Sequence, residues 1–155
     1  MDTAEIPDVI EAREFSVIGE NGTVSAALLS EDNRGTLFLN ENGNPRAFVK
    51  PTGLFVVDEN RNPLVVIDTD GIAYYDESGT WRTAIGTTGI TYWDENDNKR
   101  IAIGTNGITY LDENDNPRAA MAAGGIFYYD ENGTSRSMMS ALGFVYADKS
   151  SLTAR

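Results

Sequence analysis

The sequence predicts an all-β fold built from a short unit that repeats along the chain. Glycine recurs with a period of 18 residues, at Gly35, Gly53, Gly71, Gly89, Gly107, Gly125 and Gly143. The runs that follow these glycines, such as ITYW and IFYY, have the β-branched and aromatic composition of strands. No segment shows the apolar period of a helix. Such a repeat indicates one supersecondary unit stacked on copies of itself.

The period divides the chain into four segments. Residues 1–13 contain Pro7 and several charges and are predicted to form an N-terminal arm. Residues 14–34 carry an ENG turn between apolar residues, and we interpret them as a degenerate repeat that caps the array. Six full repeats occupy 35–142, and a partial repeat with a polar tail occupies 143–155.

Each full repeat is predicted to run strand, turn, strand. The turn sequences are NENG at 40–43, DENR at 58–61, DESG at 76–79, DEND at 94–97 and 112–115, and DENG at 130–133. Aspartate at the first position and Gly or Asp at the fourth predict a type I turn followed by a left-handed residue that forms a bulge. Arg61 is the residue least suited to that left-handed position.

Apolar residues form columns when the repeats are aligned. They lie one and three residues past the glycine and near the end of the second strand, as Ile90, Tyr92 and Ile103 do in one repeat. The columns fall on both faces of the predicted strands, which favours burial on both sides. Two architectures fit: a single-chain β-solenoid, or a stacked-hairpin array whose chains associate. An intertwined homotrimer is the favoured assembly in the second case, and an end-to-end polymer is the other form of self-association.

A column of arginines follows the turns and consists of Arg46, Arg82, Arg100, Arg118 and Arg136. Each is predicted to lie across the hairpin from the Tyr/Phe column, where stacking on a ring contributes about 0.5–1 kcal/mol. A residue that recurs in nearly every unit usually serves the repeat itself, so a structural role is favoured. The alternative assigns Arg82 and Arg100 to a ligand groove.

The column four residues past the glycine varies, and repeat proteins tend to place recognition at such positions. Tyr75, Trp93 and Tyr129 belong to it, and Trp81 lies nearby in sequence. These four aromatics and the two arginines are the candidate binding residues, with a glycan as the candidate ligand. Core packing or a subunit interface is the favoured alternative for the aromatics.

The repeated carboxylates raise the question of calcium. Residues 94–98 and 112–116 match the start of a calcium loop, but Lys99 and Pro117 replace its glycine and the glutamate at position twelve is missing. In-register stacking would place like charges ~5 Å apart at a cost of roughly 1 kcal/mol per pair, which bound cations could relieve. The weak calcium candidates are Asp94, Asp97, Asp112 and Asp115.

Composition narrows the function classes. The net charge of -12 argues against a nucleic acid or an anionic membrane as partner, because both require a basic face. The chain has no histidine and no cysteine, and its carboxylates recur as turn residues, so we expect no enzyme and no cofactor. Neither a signal peptide nor a membrane-spanning run is visible, so a cytoplasmic or a virion- or fibre-associated location is expected.

The unit G-[LI]-x-[FY]-x-D-E-N-G-x-x-R-x-x-[IVM] and the opening EAREFSVIGENGTVSAALL resemble a short tandem repeat of uncharacterised bacterial proteins, over roughly residues 12–148. Hairpin arrays with glycine links are also similar to fibre segments of phage tail and adhesion proteins, in which three chains often wind together. The resemblance supplies no catalytic or ligand residues. The leading interpretation is a structural or interaction module that builds or spaces a rigid rod or fibre by self-association. A carbohydrate-binding module is the alternative.

Overall fold

The computed structural model describes residues 11–31 and 34–146. Most of the predicted N-terminal arm (1–10) and the polar C-terminal tail (147–155) lie outside the described residues, so neither prediction is tested. Within the described part every element is a β-strand, which confirms the all-β prediction. The strands group into two compact units, one ending at Pro63 and one beginning at Leu64.

The first unit is an antiparallel meander in which strands adjacent in the chain are adjacent in the sheet. Its strands are β1 (Glu14–Ile18), β2 (Val24–Glu31), β3 (Arg34–Glu41), β4 (Asn44–Lys50) and β5 (Gly53–Val57). The segment interpreted as a degenerate repeat forms the hairpin β1–β2. Its turn closes with the Gly22 N–H donating to the Gly19 carbonyl at 2.9 Å.

The second unit continues the same pattern from Leu64, the second residue of β6. Its strands are β6 (Pro63–Asp68), β7 (Gly71–Tyr75), β8 (Trp81–Gly86), β9 (Gly89–Trp93), β10 (Lys99–Gly104), β11 (Gly107–Leu111), β12 (Pro117–Ala122), β13 (Gly125–Tyr129), β14 (Ser135–Ser140) and β15 (Gly143–Tyr146). Each pairs antiparallel with the next. Of the two predicted architectures, both units therefore show the hairpin array and not the coiled rungs of a solenoid.

The DEN turns have the predicted geometry. In the hairpin β9–β10 the Asp97 N–H donates to the Asp94 carbonyl at 3.1 Å, and the Asp94 N–H donates to the Asn98 carbonyl at 2.9 Å. Asp97 has a φ of 63°, and the strand pairing shifts by one residue just after the turn. This is a type I turn with a left-handed residue and a bulge. Arg61 also adopts the left-handed conformation, with a φ of 69°.

The NENG turn of the first unit differs from this prediction. Asn42 and Gly43 both have positive φ, 52° and 80°, and Glu41 pairs directly with Asn44. The connection is therefore a two-residue hairpin loop of the type I′ class. The physical reason is the Asn-Gly pair, since these two residues accept consecutive positive φ angles that match the twist of the strands.

At four of the periodic glycines, Gly71, Gly89, Gly107 and Gly125, the start of the strand leaves no room for a side chain. Gly89 has a φ of 125°, and a Cβ atom at this position would lie 1.9 Å from the carbonyl oxygen of Ile103 on the neighbouring strand. A Cβ atom on Gly107 would likewise lie 2.0 Å from the carbonyl oxygen of Met121. Any larger residue would force the paired strands apart, so the close approach of the backbones explains the glycine at these four positions.

The registers divide the side chains of the second unit between two faces. Ile103 pairs with Ile90 and Ile108, and Ile101 pairs with Tyr92 and Tyr110. These residues and their repeat equivalents form what we call the Ile/Tyr face, which comprises Ile72, Tyr74, Ile85, Ile90, Tyr92, Ile101, Ile103, Ile108, Tyr110, Met121, Ile126, Tyr128 and Met139. Because side chains alternate along a strand, the intervening residues lie on the opposite face. We call this second surface the Ala/Thr face, after Ala73, Ala84, Thr91, Ala102, Thr109 and Ala120.

The described residues of neither unit form an ordinary hydrophobic core. Among the described residues, the buried apolar side chains are those of Ala27, Val57 and Leu111. The side chains of the Ile/Tyr face are instead 37–54% exposed. Each unit is a single layer of hairpins, and a single layer cannot cover either of its own faces.

Candidate functional site

Three of the predicted aromatics meet on the Ala/Thr face of the second unit. Tyr75 pairs with Trp81 across the hairpin β7–β8, with ring centroids 5.9 Å apart and planes at 88°. Trp81 also contacts Trp93 of β9 edge to face, with centroids 6.0 Å apart. Such perpendicular contacts are a favoured geometry for aromatic pairs. Trp81 remains 49% exposed, so the cluster presents ring surface to solvent.

A groove of about 450 Å³ begins at this cluster and runs along the strands. Its floor consists of short side chains from four consecutive strands, because Val66 pairs with Ala73, Ala73 with Ala84, and Ala84 with Thr91. The polar residues at the far end come from the end of β6 and from the glycine links, and are Asp68, Thr69, Asp70, Thr87 and Thr88. The groove thus has aromatic walls at one end and carboxylates and hydroxyls at the other.

Tyr129 does not belong to this cluster. It lies at the end of β13 and stacks on Phe127 of the same strand, with ring centroids 6.3 Å apart and planes at 21°. Phe127 occupies the floor position that Ala73 and Thr91 hold in the groove, since each follows its glycine by two residues. Of the four candidate aromatics, the structure therefore brings Tyr75, Trp81 and Trp93 together and places Tyr129 apart from them.

Arg82 and Arg100 are also placed away from the groove. The Nε of Arg82 lies 2.9 Å from the carboxylate of Asp76, and the Nη1 of Arg100 lies 3.3 Å from that of Asp94. Arg100 Nη2 donates to the hydroxyl of Tyr110 at 2.7 Å, and Tyr110 belongs to the Ile/Tyr face. Neither arginine lines the groove. The sequence analysis places Arg82 and Arg100 in one candidate site with the aromatics, but the structure places the two arginines apart from the aromatic cluster.

Arg100 contacts a tyrosine of the Tyr/Phe column, but on the following strand and not across its own hairpin as predicted. Its guanidinium lies 5.4 Å from the ring centroid of Tyr110 on the following strand. No other arginine of the column makes such a contact within the described residues. What the column shares instead is an ion pair at the turn, formed with Asp76, Asp94, Asp112 and Asp130 in the second unit and with Glu41 in the first.

The turn aspartates are held by hydrogen bonds from their own turns. The Asp112 carboxylate accepts the backbone N–H groups of Asn114 at 2.9 Å and of Asn116 at 3.0 Å. The bond from Asn116 has the largest effect on the pKa of Asp112, and it outweighs the opposing effect of burial. With further contributions from Asn114 and the positive charge of Arg118, the pKa of Asp112 is lowered.

Asp130 has the same arrangement and is the most buried of these residues, at 7% exposure. The backbone N–H of Thr134 lowers its pKa most strongly, partial burial opposes this, and Asn132 and Arg136 add to the lowering. Carboxylates with these donors are occupied in closing the turn.

The calcium candidates separate into two kinds. Asp94 and Asp112 are engaged by turn amides and arginine, while Asp97 and Asp115 occupy the left-handed turn position. Within 11–31 and 34–146, no group of three or more acidic residues is placed to hold a metal ion. The expected ~5 Å spacing of like charges is wrong for this fold. Successive DEN turns are two strands apart, about 9.5 Å, because each repeat contributes two strands.

The sequence analysis does not predict the groove. The feature of the sequence that indicates it is the set of short residues at the floor positions, Ala73, Ala84 and Thr91, which ends at Phe127. Interpreting that run required the antiparallel register, which shows that these positions adjoin one another and share a face with Trp81 and Trp93.

The comparisons with known proteins leave the family open. No protein-family model matches the chain, and no curated protein matches it. The resemblance to a bacterial tandem repeat therefore stays a prediction from the sequence. In the part of the chain that the structure describes, there is no helix with the length and apolar character needed to cross a membrane.

Proposed function

We propose that this chain is a non-catalytic structural module that self-associates into a rigid rod or fibre, and that the Ile/Tyr face of the second unit is the surface through which copies pack. The observation that carries the proposal is the exposure of this face. Its isoleucines, tyrosines and methionines are contiguous across consecutive strands, yet they remain 37–54% exposed. Contiguous apolar surface of this kind marks an interaction site.

The energetics favour a second copy of the same face as the occupant. Completely burying one large apolar side chain contributes about 1.5–3 kcal/mol, so covering one that is already half-buried contributes about 1 kcal/mol. Summed over the Ile/Tyr faces of two copies, this exceeds the 4–15 kcal/mol that association costs in lost freedom of motion. A face that repeats with a fixed period is also complementary to itself, since ridges and hollows recur at equal spacing.

Closed symmetry would cover this face in every copy. A trimer is the expected stoichiometry, because three single-layered sheets can turn their Ile/Tyr faces inward around a common axis. The acidic turns would stay at the periphery, where water and the paired arginines accommodate their charge. A fibre segment or spacer needs no reactive group, which agrees with the use of the repeated carboxylates as turn residues.

The test is the absolute mass of the protein in solution, measured by light scattering behind a sizing column. We expect three chains per particle. A mass of two chains would retain self-association and replace the trimer by a two-layered sandwich. A single chain at all accessible concentrations would overturn the proposal.

Two variants of one strand show whether the Ile/Tyr face is responsible. Ile108→Lys places a charge on that face, and we expect it to yield single chains or aggregates of undefined size. Thr109→Lys places the same charge on the Ala/Thr face of the same strand, and we expect the mass to be unchanged. Equal behaviour of the two variants would contradict the assignment of the face.

A further inference from the structure

We infer that the groove between Tyr75, Trp81, Trp93 and the glycine links is a binding site for a neutral oligosaccharide. The first argument is that this cluster departs from the repeat. At the positions of Trp81 and Trp93 the next repeat has Lys99 and Leu111. The hairpins there close with the same turn and register, so the aromatic rings are not required by the repeat itself.

The chemistry of the groove matches that of a sugar ring. A pyranose has an apolar face of C–H groups that carry slight positive charge, and the face of an aromatic ring is negative. Trp81 contacts Tyr75 and Trp93 edge to face, with planes at 88° and 74°, and all three residues line the groove. The hydroxyls of a sugar lying on the floor would reach the carboxylate and threonine oxygens of the links.

Size and shape agree with this ligand class. A volume of about 450 Å³ lies within the usual range for small-molecule sites. The short side chains of Val66, Ala73, Ala84 and Thr91 keep the groove open. Phe127, which lies three repeats after Ala73, fills the corresponding position in its own repeat. The groove therefore spans a few sugar units at most.

Charge selects neutral saccharides over acidic ones. Asp68 and Asp70 stand at the polar end of the groove, and the chain carries a net charge of -12. Sialylated or sulfated glycans would meet repulsion there. The site lies on the face opposite the Ile/Tyr face, so it stays open in the proposed assembly and does not depend on it.

Intrinsic fluorescence reports on this site directly, because the two tryptophans of the chain are both in its wall. The full chain is titrated separately with cellotetraose, chitotetraose and maltotetraose, and with sialyllactose as the acidic comparison. We expect at least one neutral oligosaccharide to shift the emission saturably, and sialyllactose to leave it unchanged. An emission unchanged by all three neutral probes overturns the inference. A shift in emission with a proline-rich peptide and with none of the sugars would also overturn it.

Matched variants locate the binding. Trp93→Ala is expected to weaken it by about tenfold, the loss of one ring contact. Ala84→Leu keeps every ring but fills the floor, and we expect binding to be lost. Ala120→Leu, at the equivalent position two repeats later, and Tyr129→Ala should both bind normally. Undiminished binding by Ala84→Leu would place the ligand elsewhere and contradict the inference.

The Ile108→Lys variant separates this inference from the proposed function. Because Ile108 lies on the opposite face, the variant should respond to the sugar as the unaltered chain does, whatever its mass. Loss of assembly with retained binding would support both statements. Circular dichroism of each variant confirms that the strands have formed.

Discussion

The turn aspartates act at the scale of single residues. The carboxylate of Asp112 receives the N–H groups of Asn114 and Asn116 and pairs with Arg118 at 3.7 Å. These contacts favour the ionised form, so the pKa of Asp112 is lower in the folded chain than in the unfolded one. A carboxylate with a lowered pKa stabilises the fold above its unfolded pKa of about 3.9, and this contribution is lost as the pH falls through the folded value.

Asp112→Asn should therefore destabilise the protein at pH 7, and the difference from the unaltered chain should shrink as the pH falls below about 4. Urea denaturation at a series of pH values measures this. Asp115→Asn is the control within the same turn, because asparagine accepts the left-handed conformation that Asp115 adopts, with a φ of 62°. A pH-independent difference for Asp112→Asn would show that its charge plays no part.

Arg61 provides a second prediction at this scale. It is held at a φ of 69°, a conformation that costs a residue with a Cβ about 1 kcal/mol relative to glycine. Arg61→Gly should raise the free energy of unfolding by about that amount. Gly79 occupies the equivalent position with a φ of 81°, and Gly79→Arg should lower it correspondingly. Denaturant unfolding of both variants is the measurement, and changes of the same sign would contradict the explanation.

The hairpin is the element from which both units are built, and its two connections differ in what they tolerate. The DEN turn accepts Gly, Asp or Arg at its left-handed position. The glycine links at Gly71, Gly89, Gly107 and Gly125 accept no side chain, because the neighbouring carbonyl oxygen occupies the place of the Cβ atom. The link therefore fixes how closely consecutive strands approach.

Gly89→Ala tests this constraint. The added Cβ would lie 1.9 Å from the Ile103 carbonyl oxygen, so the strands must separate locally, and we expect a loss of about 3 kcal/mol or more. Gly35→Ala is the matched control, since no atom lies within 4 Å of its Cβ position. It should change the stability by roughly 0.5 kcal/mol or less. Thermal unfolding of both variants decides between steric conflict and a general cost of replacing glycine.

Much of this element could be predicted from the sequence. The 18-residue period and the Asp and Gly positions specify the strands and most turns, because local backbone preferences determine them. The type I′ loop at Asn42-Gly43 is determined by the Asn-Gly pair, so the similarity of this turn to those of the other repeats predicts the wrong loop type. The candidate site was harder to predict. Which aromatics share a face depends on the bulge after each turn, and this separates Arg100 from Trp93 although the two are close in sequence.

At the scale of the whole molecule, the main feature is that neither unit forms a core from its described residues. The apolar residues are numerous enough for a globular domain, but single-layered hairpins leave them exposed. If association buries the Ile/Tyr face, folding and assembly are linked by mass action.

The melting temperature should then rise with protein concentration. Differential scanning calorimetry over a wide concentration range measures this, and Thr109→Lys should retain the dependence while Ile108→Lys loses it. A melting temperature independent of concentration in the unaltered chain would argue that each copy is stable alone.

The repeat length fixes the width of the sheet in equal steps. Each 18-residue unit adds two strands, about 9.5 Å of sheet width, and returns the next unit to the same face. Losing or gaining one whole unit would change the span of a sheet by a fixed step and leave every remaining contact intact. A shift by a single residue would turn the Ile/Tyr face over. The width of such a sheet therefore depends only on the number of repeats.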